Sequence, residues 1–152
     1  MIQSIPQATY ITGSVSLKRA VVYYGILAGW CFLRKKSKKV PRVGLILAVL
    51  VLLFPTPRNQ TKITFLDVGQ GDCAVIQQKK EVYLIDGGSS DVSKVGTYRI
   101  LPFLKYSGIR TVDGIFLSHP DNDHINGIEE LFEAVAKKET SLKIETVYLS
   151  KN

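Results

Sequence analysis

The sequence predicts an α/β domain that follows a transmembrane helical hairpin. Two uncharged apolar runs, residues 20–33 and 43–54, come first and are separated by a basic segment. After residue 60, short runs of β-branched and aromatic residues alternate with stretches whose apolar residues recur at helical spacing. Such alternation is typical of helices packed on a sheet with mixed strand pairing.

Charge divides the chain at about residue 57. Residues 1–57 hold eight basic residues and no Asp or Glu, whereas residues 58–152 hold twelve basic and thirteen acidic residues, a net charge of −1. The overall charge of +7 therefore belongs to the hairpin region. A basic face on the folded domain, which would indicate a nucleic-acid footprint, is not predicted.

The two apolar runs predict helices at about 18–34 and 41–54. An α-helix rises about 1.5 Å per residue, so these runs reach roughly 18–21 Å, less than the ~30 Å hydrocarbon core of a bilayer. Lys18 and Arg19 can lengthen the first helix by reaching the lipid headgroups, and Trp30 suits interfacial depth. Two alternatives are a pair of helices buried in a soluble core and a secretory signal peptide.

The charges that flank the helices predict their orientation. Six basic residues lie between the helices and two lie before the first. The positive-inside rule then places the connection in the cytoplasm and both ends of the hairpin outside. We therefore expect a multi-pass membrane protein whose carboxy-terminal domain is extracytoplasmic.

The predicted organisation is a hairpin region at 1–57, a linker at 58–60 and a domain at 61–152. The first sixteen residues have no period and no charge, and they are predicted to be either a loop or the remnant of something larger. The first three strands of the domain are expected to pair antiparallel. The pattern predicts strands at 62–68, 73–77, 81–85, 114–118 and 145–150, and helices at about 97–106 and 125–136.

Residue types that bind metals cluster between the fourth predicted strand and the second predicted helix. Segment 119–124, HPDNDH, contains both histidines of the chain. Divalent ions such as zinc and manganese accept imidazole and carboxylate ligands, and the spacing suits two adjacent ions. The alternative is that the acids cap the helix. Capping accounts for one acid and for neither histidine, so we predict a metal site with the ligands His119, Asp121, Asp123 and His124.

This segment resembles the signature loop of the metallo-β-lactamase superfamily, His-x-His-x-Asp-His, with Asp121 at the second His position. The resemblance implies the amino-terminal half of an αββα fold. It also implies that His119 and Asp121 bind one ion and that Asp123 and His124 bind a second. Aspartate at position 121 makes the first site richer in oxygen, which favours manganese over zinc.

A second stretch of the sequence indicates one branch of this superfamily. Phe65–Asp72 (FLDVGQGD) and Ile85–Gly88 (IDGG) are similar to the opening of the metallo-β-lactamase-like domain of ComEC-type DNA-uptake channels. In that family the domain follows a multi-helix membrane domain, and the hairpin matches that junction. The resemblance implies a role in natural competence at the bacterial cell membrane, with DNA, the membrane and other competence proteins as partners.

Three further acids belong to these motifs. Asp67 leaves a predicted strand and can lie beneath the metal loop as a partner of a ligand, so we predict a catalytic role for Asp67 together with Asp123. Asp72 is a weaker candidate for the same place. Asp86 either orients the loop or binds an ion. The neighbouring glycines have a simpler explanation, because glycine allows the positive φ of tight turns.

The resemblance also implies histidine and acidic ligands downstream of the signature loop, and this chain has no other histidine. We therefore expect a fragment with an incomplete nuclease-like site and weak or no hydrolysis of DNA. Two other functions stay open. They are a membrane-tethered hydrolase of another substrate and a non-catalytic domain that binds nucleic acid or a partner protein.

Overall fold

The computed structural model describes residues 11, 13–36, 43–53 and 60–150. Contacts within the chain divide it into two compact units. A helical unit lies within residues 14–56, and an α/β unit takes the described residues on either side of it. The predicted linker at 58–60 lies outside the described residues except for Gln60.

The helical unit contains α1 (Leu17–Lys36) and α2 (Val43–Leu53), where the two apolar runs predict helices. The helices pack closely, because a Cβ atom placed on Gly44 would lie 2.6 Å from the Trp30 ring. Most of their described large apolar side chains are nevertheless exposed, Ile46 among them. The hairpin therefore keeps an apolar surface that its own two helices do not cover.

The dimensions of these helices do not support the prediction that they cross a membrane. In the part of the chain that the structure describes, no helix is both long enough and apolar enough for a span. α1 has 20 residues but carries basic side chains in its first and last turns, whereas α2 is apolar throughout and has 11 residues. Residues 41, 42 and 54 of the predicted second helix lie outside the described residues.

The α/β unit is built on a five-stranded mixed sheet within residues 60–150. The strands of this unit are β1 (Lys62–Phe65), β2 (Ala74–Gln78), β3 (Glu81–Ile85), β4 (Thr111–Val112), β5 (Gly114–Leu117), β6 (Lys143–Ile144) and β7 (Val147–Leu149). The order across the large sheet is β1-β2-β3-β5-β7. β1, β2 and β3 pair antiparallel, as predicted, and β3, β5 and β7 pair parallel.

The two faces of this sheet have different surroundings. Leu84 and Ile115, which pair across β3 and β5, are fully buried in a core that also contains Ile128. On the opposite face, Phe116 stacks on Tyr148 with ring centroids 4.7 Å apart, and both rings remain exposed. The faces differ because successive side chains of a strand point to opposite sides of the sheet.

The predicted helix at 97–106 consists of two parts. A π-helical turn at Gly96–Ile100 leads into α3 (Leu101–Tyr106). Pro102 lies in the first turn of α3, directly after the π-helical turn. The sequence predicts an irregularity at Pro102, and apolar spacing alone does not show that it takes the form of a wider turn.

The second predicted helix, α4, spans Asn122–Ala136 and begins about three residues earlier than expected. Asp121 is its N-cap, with the extended angles φ −73° and ψ 149°. Asp123 and His124 therefore belong to the first helical turn. The prediction placed the start too late because the apolar period begins only at Ile125, and the polar turn before it was assigned to a loop.

Four features of the α/β unit differ from the sequence pattern or are absent from it. β1 ends three residues early, β7 has half the predicted length, and β4 and β6 form a separate two-stranded sheet. Strands of two residues are too short to show a period. Ile11, in a predicted loop, is buried in the core, and its carbonyl accepts a 2.7 Å hydrogen bond from Arg110 Nε.

Candidate metal centre

The predicted ligand segment lies at the edge of the sheet where β3 and β5 end. These strands are parallel, so Asp86 after β3 and Ser118 after β5 leave the sheet at the same edge. Helix α4 starts four residues after Ser118. The topology thus brings the IDGG segment against the HPDNDH segment, although 32 residues separate Asp86 from Ser118.

Asp86 links these two segments. It is 4% exposed and has a left-handed backbone conformation with φ 51°. Its carboxylate accepts hydrogen bonds from the backbone N–H of Ser118 at 2.8 Å and from the Ser118 hydroxyl at 2.7 Å. It also lies 3.3 Å from Nδ1 of His124. These contacts orient the loop, which is one of the two roles that the sequence left open for Asp86.

The two histidines lie close together, with ring centroids 5.6 Å apart. Nδ1 of His119 is 3.1 Å from the Ser118 hydroxyl, and Nδ1 of His124 is 3.4 Å from the same oxygen. Nε2 of His124 is 3.9 Å from Oδ2 of Asp123. Each ring is thus held through Nδ1, and the His124 ring presents its other nitrogen towards a carboxylate.

Asp121 connects the loop to α4 through its backbone. Its carbonyl accepts a 2.9 Å hydrogen bond from the N–H of His124. The Asp121 side chain is exposed, and no capping hydrogen bond from it is found within the described residues. Helix capping therefore does not account for the Asp121 carboxylate, which remains a predicted ligand.

Glycines allow the backbone of the IDGG segment to approach the ligand segment. The N–H of Gly87 donates to the carbonyl of His124 at 2.9 Å. A Cβ atom on Gly88 would lie 2.5 Å from the backbone nitrogen of His124, and one on Gly71 would lie 2.8 Å from the carbonyl oxygen of Asp123. No side chain fits at these positions, so the sequence interpretation that the glycines serve turns alone was too narrow.

A second carboxylate holds the turn at Gly69–Gln70 against the loop that follows β3. Oδ1 of Asp91 accepts hydrogen bonds from the Gln70 N–H at 2.7 Å and from the Ser89 hydroxyl at 3.0 Å. The bond from Gln70, followed by that from Ser89, lowers the pKa of Asp91 below its ordinary value. The carbonyl of Gln70 in turn accepts a 2.7 Å hydrogen bond from the Ser90 N–H.

Acidification is expected to release this turn. Because the pKa of Asp91 is lower in the folded state than its ordinary value of 3.8, the contact is complete above that pH. It is lost as the pH falls through the lowered pKa. In ¹⁵N–¹H spectra the Gln70 amide should keep its position above pH ~4 and move below it. Asp91→Asn is the matched control and should abolish that transition; a Gln70 transition that persists in it would contradict the assignment.

Asp67 and Asp72 lie on the segment that approaches this edge. The Asp67 carboxylate is 88% exposed, lies 3.9 Å from Arg99 Nη1 and accepts a 3.4 Å hydrogen bond from the Gly69 N–H. The backbone carbonyl of Asp72 accepts a 3.4 Å hydrogen bond from Gly88. These contacts do not join the Asp67 carboxylate to the ligand segment, and its catalytic role stays a prediction.

The negative charge of Asp86 also acts on the thiol of Cys73. Cys73 is buried, and burial together with the negative charge of Asp86 raises the pKa of its thiol to about 12. The thiol is therefore protonated at neutral pH.

The His and Asp side chains of segment 119–124 can bind a divalent ion as pairs of ligands. Two ligands of a tetrahedral ion with bonds of about 2.1 Å lie roughly 3.4 Å apart, and His124 Nε2 and Asp123 Oδ2 lie 3.9 Å apart. Small movements of these partly buried side chains would therefore let this pair share an ion. Within the described residues, no group of three or more His, Cys, Asp or Glu side chains has a geometry that could hold one.

Comparison with known proteins identifies the superfamily of the α/β unit. The family model described as the metallo-beta-lactamase superfamily matches residues 66–151, more than half of the chain. This chain belongs to the metallo-β-lactamase superfamily. The match includes the ligand segment and the IDGG segment, and it confirms the superfamily and the mixed α/β domain that the sequence predicts.

Relatives of this superfamily domain are found among bacterial proteins. The chain is 34% identical over 99 residues to competence protein ComA of Neisseria gonorrhoeae (64% of this chain, 13% of that protein). It is 28% identical over 116 residues to ComE operon protein 3 of Bacillus subtilis (66% and 15%) and 35% identical over 92 residues to recombination protein 2 of Haemophilus influenzae (59% and 12%). These matches confirm the resemblance to the ComEC-type competence family. The chain spans 12 to 15% of the length of these relatives, and no solved structure matches it.

Proposed function

We propose that this superfamily domain supplies a metal-dependent, nuclease-like site to a DNA-uptake channel of the bacterial cell membrane. The observation that carries the proposal is that segment 119–124, which contains two imidazoles and two carboxylates, lies at the sheet edge with both rings held through Ser118. Similarity to a protein named for competence supports DNA uptake as the setting.

In this proposal His119 and Asp121 hold one divalent ion, zinc or manganese, and Asp123 and His124 hold a second. A bound ion would lower the pKa of a coordinated water and stabilise the charge that develops on a phosphodiester. Asp86 keeps the His124 ring oriented, so its Nε2 stays beside the Asp123 carboxylate.

The charge of this edge explains why DNA would require the metal. Carboxylates are the charged groups of the three segments that meet there, 67–72, 86–91 and 118–124, apart from the histidines. Such a cluster repels phosphate oxygens, and two divalent cations would offset four of its six negative charges. We therefore expect the metal-free domain to bind DNA weakly.

Metal content tests the assignment of the ligands. After dialysis against manganese or zinc, the full chain should retain metal, whereas the His119→Ala and Asp123→Ala variants should retain less. Glu139→Gln removes an exposed carboxylate outside the site and should behave as the wild type. Equal metal content in the wild type and the two site variants would refute the assignment.

Hydrolysis of DNA by this chain is expected to be weak. The observed contact pairs two donors, and a pair of ligands binds an ion less tightly than the three or four donors of a closed site. Cleavage of labelled single- and double-stranded DNA, followed with added manganese or zinc, measures this directly. Robust metal-dependent hydrolysis that Asp123→Ala abolishes would show that the described ligands are sufficient for catalysis.

We further propose that the helical unit is the membrane-attached part of the protein and that the domain lies outside the cytoplasm. The exposed apolar side chains of α1 and α2 and the basic residues at the ends of α1 support attachment to lipid. Flotation of the full chain with vesicles should be lost in an Ile46→Lys, Val49→Lys double variant, both residues being exposed on α2. Flotation that persists in this variant would argue against attachment through α2.

A further inference from the structure

The hydroxyl group of Ser118 lies at the centre of the ligand segment. It is 2.7 Å from Oδ2 of Asp86, 3.1 Å from Nδ1 of His119 and 3.4 Å from Nδ1 of His124. Three groups therefore surround one oxygen atom that carries a single proton. The number of available protons restricts which group donates in each contact.

Asp86 determines where the serine proton goes. A carboxylate accepts hydrogen bonds and has none to donate, so the shortest of the three contacts requires Ser118 to donate to Asp86. The serine oxygen then has only lone pairs for the two rings. His119 can therefore form its hydrogen bond with Ser118 only by donating from Nδ1.

The same reasoning applies to His124. Both partners near its Nδ1, the Asp86 carboxylate at 3.3 Å and the Ser118 oxygen at 3.4 Å, are then acceptors. A neutral imidazole carries one proton, so a ring that is protonated at Nδ1 has a lone pair on Nε2. That lone pair is what a divalent ion needs, and on His124 it lies next to Asp123.

We infer that Ser118 is a positioning residue that fixes both histidines in the Nδ1–H tautomer and so prepares both Nε2 atoms as ligands. The inference rests on the proposed metal site for its purpose, whereas the tautomers exist without metal. His119 depends on Ser118 more than His124 does, because Asp86 is a second acceptor for His124 alone among the contacts described.

Long-range ¹⁵N–¹H spectra of the full chain, recorded without metal at a pH where imidazole is neutral, test the inference. The two histidines of the chain give a spectrum that His119→Ala assigns unambiguously. Both rings of the wild type should be protonated at Nδ1. In Ser118→Ala, His119 should shift to the Nε2–H form while His124 largely retains Nδ1–H, and Ser118→Thr should restore the wild-type pattern because it restores the hydroxyl.

Metal affinity provides a second readout of the same variants. Titration calorimetry with zinc or manganese should show binding about tenfold or more weaker in Ser118→Ala and close to that of the wild type in Ser118→Thr, the range expected when a ligand loses its hydrogen-bonded partner. Nδ1–H tautomers in a chain that binds no metal would refute the proposed function and leave the inference intact.

A wild-type His119 in the Nε2–H form would overturn the inference, and so would a tautomer that is unchanged in Ser118→Ala. If Ser118→Ala does not fold, the wild-type spectrum and the Ser118→Thr spectrum still decide it. Circular dichroism shows whether each variant is folded.

Discussion

Replacing Gly88 with alanine is expected to weaken metal binding by about tenfold or more and to destabilise the α/β unit by about 1–3 kcal/mol. The added Cβ atom would overlap the Asp123 carbonyl group and lie 2.5 Å from the His124 nitrogen. These are backbone atoms of the first turn of α4, which cannot rotate away as a flexible side chain can. Relief therefore requires α4 to move, and its two ligands move with it.

Calorimetric metal titration and chemical denaturation measure these two effects. Gly25→Ala is the matched control, because a Cβ atom at Gly25 meets nothing within 4 Å and the residue lies inside helix α1. Alanine is the better helix former, so this control should be neutral or slightly stabilising. Wild-type metal affinity in Gly88→Ala would show that the close approach of the two segments is not needed.

Replacing Asp86 with alanine should also weaken metal binding and destabilise the α/β unit, but for a different reason. The variant leaves the Ser118 N–H and hydroxyl and the His124 ring without their buried acceptor, at a cost of about 3 kcal/mol in the free energy of unfolding. Alanine also tolerates the left-handed φ of 51° poorly. Loss of the partner of a ligand should weaken metal binding by roughly 10- to 100-fold.

Asp86→Asn separates the backbone effect from the hydrogen bonds. Asparagine accepts the left-handed conformation and keeps one acceptor for the Ser118 N–H, so its stability should fall between those of the wild type and Asp86→Ala. Its amide cannot accept from both Ser118 and His124 at the position of Oδ2. If Asp86→Ala binds metal as tightly as the wild type, Asp86 does not orient the site.

The strands show what local sequence patterns can predict. β2, β3 and β5 are short runs of β-branched and aromatic residues, and each was predicted to within a residue or two. The start of α4 was predicted about three residues late because the polar ligands of its first turn interrupt the apolar period. A turn that serves a site has the composition of a loop, and the pattern gives no signal to separate the two.

The acidic residues show the limit of motif reasoning. Asp67 and Asp86 both follow a strand, and the sequence favoured Asp67 for a catalytic role. Only the parallel pairing of β3 with β5 places the Asp86 carboxylate beside Ser118, while Asp67, two residues after β1, lies near Arg99. Strand order decides which acid reaches the ligand segment, and strand order cannot be read from either strand alone.

The sequence by itself determined the mixed α/β domain, the superfamily and the four candidate ligands, because each depends on residue types at short spacing. The tertiary structure decided how those ligands are held. Asp86, Ser118 and the closely packed glycines act across separations of about 30 residues or more, where spacing carries no information. Their contacts arise only after β3, β5 and α4 meet at one edge of the sheet.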